Sequence, residues 1–125
     1  MELTGEQLRE VKKQFLQGKS IESILKNDFA DAKLFVIRGY DQNFDEEYIW
    51  DVFFEKKEAE DCLKKITANK NIVGGQYTSK EVDLDFPDLF YETEATLDEI
   101  ETKYSFDEIG LVLLHNCIED KLRRD

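Results

Sequence analysis

Histidine occurs once in the 125 residues, proline once and cysteine twice. A single imidazole, His115, excludes every two-histidine zinc site and every HExxH motif. Cys62 and Cys117 are too few for a disulfide framework and have neither CxxC nor Cys/His ligand spacing, so both are expected as buried free thiols. If His115 and Cys117 lie on a helix, their side chains point roughly 200° apart and cannot exchange a proton; on a strand they would share a face. No GxxxxGK[ST] or GxGxxG motif is present, which leaves phosphate chemistry without a foothold. The longest apolar run, Leu111 to Leu114, is far short of the roughly 20 residues a membrane span needs. No basic, apolar leader opens the chain, and a cytoplasmic setting is expected.

What the chain does have is enough apolar material for one core. Apolar residues make up 41%, including nine Phe, five Tyr and one Trp, which argues for a folded single domain spanning residues 1–125. Against 17 basic residues stand 29 acidic ones, a net charge of −12 that opposes attraction to nucleic-acid phosphate and to anionic lipid.

The periodicity divides the chain into four stretches. Residues 1–30 read as a helical hairpin: Thr4 and Gln7 have capping-box spacing, and Leu8, Val11, Phe15 and Leu16 recur at helical period up to Gly18. Ser20 then caps a second, shorter helix carrying Ile21, Ile24 and Leu25. Residues 33–66 read as a ββα unit. Its first strand is Leu34 to Ile37, covered on both faces, and its second runs from Tyr48 to Phe54 with Tyr48, Trp50, Val52 and Phe54 on one face. A helix over Lys57 to Ile66 places Ala59, Cys62, Leu63 and Ile66 on one stripe. Residues 70–108 form an acidic strand and helix segment. Gly74-Gly75 is a turn, Val82 to Phe86 alternate as an edge strand ended by Pro87, and Thr96 with Glu99 caps a helix. Residues 105–123 read as a C-terminal helix introduced by Ser105 and Glu108 and apolar nearly all round at its centre, with a strand over Ile109 to Leu114 as the alternative. The expected fold class is α+β, a small antiparallel sheet of about three strands packed against the helical hairpin, the middle helix and the C-terminal helices.

The segments FVIRGY and EYIWDVFFEKKEAEDCLKKI, within residues 35–66, resemble a strand-turn-strand-helix unit of small uncharacterised phage and bacterial proteins. The resemblance implies the ββα arrangement and transfers no activity.

Candidate chemistries thin out on inspection. Asp41, Asn43 and Asp45, and separately Asp83, Asp85 and Glu94, fall at calcium-loop spacings, yet Glu46 and Asp88 occupy the places where such loops need glycine. With 29 carboxylates, adjacency is expected by chance, so no pair receives an acid/base role, and no enzyme, metal or cofactor is expected. The hairpin around Gly18 has the look of a helix-turn-helix, but Ser20 to Asn27 spans barely two turns and carries Glu22, which disfavours DNA reading.

The charge, by contrast, is local. Residues 81–108 contain eleven acids against Lys103 alone, a net −10, while residues 1–40 carry +1, residues 41–80 carry −3 and residues 109–125 are neutral. Within that segment the expected partner-binding residues are Glu81, Asp83, Asp85, Asp88, Phe90, Tyr91, Glu92, Glu94, Asp98 and Glu101, carboxylates interleaved with aromatic anchors. The composition points to a non-enzymatic inhibitor of the immunity, antitoxin or phage anti-defence type. Its partner would be a protein with a basic, nucleic-acid-handling surface, with no direct contact to nucleic acid or membrane. The alternatives are an adaptor subunit using Trp50, Phe53 and Phe54, or a small-ligand-binding protein with a pocket between sheet and helices.

Overall fold

A computed structural model describes residues 1–69, 71–78, 86–104 and 108–124. The fold is α+β, with a three-stranded antiparallel sheet between helices. Helix α1 (Gly5–Leu16) starts at the capping box: Gln7 N donates to Thr4 Oγ1 at 3.2 Å and Thr4 N to Gln7 Oε1 at 2.9 Å. Helix α2 (Ile21–Ser23), capped by Ser20, runs into a π-helical turn over Ile24–Asp28. Strands β1 (Lys33–Asp41) and β2 (Glu46–Phe53) form the expected hairpin, and α3 (Lys56–Thr67) follows. Two short strands, β3 (Ile72–Val73) and β4 (Gln76–Tyr77), pair across Gly74 and Gly75. Both glycines have positive φ (61° and 76°), the geometry of a tight hairpin turn that residues with a Cβ rarely adopt. Strand β5 (Leu89–Thr96), helix α4 (Leu97–Lys103) and helix α5 (Glu108–Arg123) complete the chain.

The sheet order is β2-β1-β5, so β1 is central and its two faces bury different clusters. Leu34 and Val36 join Val11, Ile24, Ile100, Leu114 and Ile118 in the larger core beneath the other helices, and Phe35 and Ile37 pack with Phe53 and Ala59 beneath α3. A strand buried on both faces explains why Leu34 to Ile37 reads as a continuous apolar run.

Several expectations need correction. The strand expected over Val82 to Phe86 has its first four residues outside the described residues; the third strand of the sheet is β5, paired to β1 from Lys33 opposite Thr96 to Tyr40 opposite Leu89. Tyr48, Trp50, Val52 and Phe54 do not share a face. The β1–β2 register shifts between Ile37 and Arg38, which leaves Trp50 as the extra residue of a bulge. Beyond it the alternation inverts: Val52 and Phe54 enter the larger core, whereas Trp50 and Phe53 lie with the cluster under α3. Phe53 and Phe54 are buried, so they offer nothing to an adaptor surface. Leu16, expected in the core stripe of α1, is exposed. The stretch Ile109 to Leu114 is helix, and Leu114, Ile118 and Leu122 form its buried stripe. Cys62 and Cys117 are free but only half-buried. The Ser105 cap lies outside the described residues.

Candidate functional site

The acidic segment is organised by β5, an edge strand that continues through Thr96 into α4. Thr96 is extended and its Oγ1 accepts from Glu99 N at 3.2 Å, so the strand ends where the helix is capped. Phe90, Glu92 and Glu94 lie opposite Gly39, Ile37 and Phe35, and so face α3, while Tyr91, Thr93 and Ala95 face the larger core.

The expected docking residues meet different fates. Glu81, Asp83 and Asp85 lie outside the described residues. Asp88 is a correction: it is buried, and its carboxylate accepts from Tyr48 Oη at 2.5 Å, Gly74 N at 2.9 Å and Gly75 N at 2.7 Å. It clamps the β3–β4 turn to the sheet and has no face to offer a partner. Burial and the Asp88 hydrogen bond push the Tyr48 phenol far above its ordinary range, so Tyr48 stays a donor. Phe90 is half-buried against the cluster under α3, edge-on to Tyr48 and Trp50 with ring centroids at 6.4 and 5.4 Å. Tyr91 donates to Glu47 Oε1 at 2.7 Å and lies under the Arg38 guanidinium, which also covers Tyr104. Glu92 is half-buried beside α3; burial, and after it the charge of Glu60, raises its pKa, and its Oε1 has no hydrogen-bond partner. Glu101 is tied to Lys26 at 2.7 Å and to His115 at 3.1 Å.

Among the expected residues that are described, only Glu94 and Asp98 stand exposed. Asp98 sits on the rim of a groove of about 580 Å³ between the π-helical turn and the start of α4. Leu25, Phe29, Ala32 and Leu97 give this groove an apolar lining, and Asp31, Asp98 and Glu99 its acidic groups, beside Lys26, whose ammonium is bound to Glu101. Lys103 and Thr96 hydrogen-bond the Glu99 carboxylate and hold it below the usual range, so it stays charged on that rim. Asp31 and Glu99 were missed as site residues. Asp31 belongs to a stretch of ordinary charge balance, and only the fold carries it to α4.

A second cavity of about 450 Å³ lies between Trp50, Cys62 and Tyr77. Burial, its largest influence, pushes the Cys62 thiol up, and the same holds for Cys117, so neither is an activated thiolate. With both residues in α5, His115 and Cys117 point away from each other and cannot act as a nucleophile pair.

These observations define a small α+β domain in which Asp31, Asp98 and Glu99 border one apolar groove. No protein-family model, curated protein or solved structure matches the chain. Among the described residues, no helix is long and apolar enough to cross a membrane.

Proposed function

We propose that the protein is a non-enzymatic acidic binding module that inhibits a basic, nucleic-acid-handling protein by occupying its phosphate-binding surface. The observation that supports this reading is the groove beside α4, where an apolar lining is bordered by Asp31, Asp98 and Glu99, with Lys26 on the same lining bound to Glu101; Glu94, exposed on the α3 face and 3.6 Å from Lys33, adds charge outside the groove. An apolar side chain of the partner fits the lining while its lysines and arginines meet carboxylates at the rim, the arrangement of anchor and charged surround common to specific interfaces. Long-range attraction from a net charge of −12 speeds the encounter and makes it salt-dependent. The class of inhibitor is reached by analogy of size and charge.

The test is capture from native-host extract at low and at physiological salt. A wild-type bait should retain a basic protein whose binding to DNA or RNA it blocks. The Asp31→Lys, Glu94→Lys, Asp98→Lys triple variant should lose it while melting like the wild type. Equal capture by both baits, or a partner that still binds nucleic acid in the complex, overturns the reading.

One observation favours a second reading, a structural or adaptor subunit. Ile109, Val112 and Leu113 lie at i, i+3 and i+4 on the outer face of α5 and are 70%, 57% and 55% exposed. They replace Trp50, Phe53 and Phe54 as the candidate surface. Sedimentation should then show self-association that Val112→Glu abolishes.

A further inference from the structure

Three elements distant in the chain bring one donor atom each to a single spot. A carboxylate oxygen of Glu22 in α2, another of Glu101 in α4 and a ring nitrogen of His115 in α5 all lie within 4.8 Å of one another. His115 Nε2 stands 3.1 Å from Glu101 Oε1 and 3.7 Å from Glu22 Oε1. Ligands about 2.1 Å from one ion are separated by roughly 3.4 Å in a tetrahedron and roughly 3.0 Å across a cis edge of an octahedron. The two observed separations bracket the tetrahedral value. We propose that Glu22, Glu101 and His115 form a binding site for a divalent transition metal of the Zn²⁺ class.

The surroundings fit such an ion. Two carboxylates and a neutral imidazole supply two negative charges to a dication, one of them offset by the Lys26 ammonium bound to Glu101. One nitrogen with two oxygens suits zinc, whereas calcium needs six to eight oxygens and magnesium prefers an all-oxygen, partly hydrated shell. Lys26 Nζ donates to Glu101 Oε2 at 2.7 Å, which fixes the carboxylate and leaves Oε1 turned toward His115. Glu22 is on the solvent side, its side chain 52% exposed, and can move toward the other two ligands without disturbing the core. Metal binding exchanges the His115–Glu101 hydrogen bond for two metal–ligand bonds and joins α2, α4 and α5. Three protein ligands leave a fourth position for water or for a group on a partner. The site does not depend on the inhibitor reading.

The experiment is titration of the full chain with Zn²⁺ by calorimetry, with Co²⁺ absorption as a report on the ligands. One equivalent should bind, with Co²⁺ ligand-field bands and no thiolate charge-transfer band. Glu22→Gln and His115→Ala should each weaken Zn²⁺ at least tenfold, while Glu6→Gln on exposed α1 should have no effect. Glu22 is exposed, so its variant keeps the wild-type metal-free melting curve and remains informative even if His115→Ala is unstable. Absence of Zn²⁺ binding to the wild type overturns the proposal, as does unchanged affinity in both ligand variants. A thiolate band would assign the metal to Cys62 or Cys117 and overturn it equally.

Discussion

At the start of β5 a carboxylate is built into the protein, and just past its end carboxylates are presented to solvent. Asp88, 6% exposed, accepts three hydrogen bonds from Tyr48, Gly74 and Gly75 and holds a small hairpin against the sheet. Ten residues later Asp98 is exposed at the rim of an apolar groove, with Asp31 and Glu99 beside it. The same residue type in the same acidic stretch serves structure in one place and is free for recognition in the other. The difference is the supply of donors. Where backbone N–H groups and a phenol converge, a buried carboxylate is stable; where helix α4 begins at the surface, water solvates it and nothing draws it inward.

The sharpest way to break this comparison is Asp88→Ala. It strands the Tyr48 hydroxyl and two glycine N–H groups, and should cost about 3 kcal/mol in urea unfolding. Gly39→Ala attacks the same end. A Cβ there would run into the Tyr48 ring, and the overpacking should cost about 2 kcal/mol, relieved by Tyr48→Ala in the double variant. Glu101→Gln, at the other end, removes a part-exposed ion pair with Lys26 and should cost about 1 kcal/mol after allowance for solvent screening. Its pH dependence has a definite sign. The folded pKa of Glu101 is lowered, so its stabilisation is present above the unfolded carboxyl pKa and fades as the pH falls through the folded value. The wild-type advantage over the variant in thermal melts should shrink on that acid limb.

Glu92→Gln should act in the opposite direction. Burial and Glu60 raise the Glu92 pKa, so ionisation at neutral pH opposes folding. The variant should melt higher than the wild type at pH 7, and the gap should close below the unfolded carboxyl pKa, where both side chains are neutral. The smallest effect is expected at Asp98→Asn, within about 0.5 kcal/mol of wild type, because the side chain is exposed. A large loss there would erase the contrast between the two ends.

Much of the local structure is legible in the chain itself. The caps at Thr4, Ser20 and Thr96, the β1–β2 hairpin, the stripe of α3 and the Gly74-Gly75 turn all arise from interactions among residues a few places apart, which is why spacing reveals them. The concentration of acid in residues 81–108 is equally plain. Three things were decided only by tertiary structure. Strand β5 pairs with β1 across about fifty residues, a match that no local pattern encodes. The bulge at Trp50 inverts the faces of β2, because register answers to the partner strand. The carboxylates divide into buried clamp, groove rim and metal-ligand candidate according to which distant segments meet them: Gly74 and Gly75 at Asp88, Asp31 near Asp98, and Glu22 with His115 at Glu101. Sequence determined how much negative charge the protein carries and where along the chain. Folding decided what each charge can do, because desolvation and hydrogen bonding are set by neighbours in space.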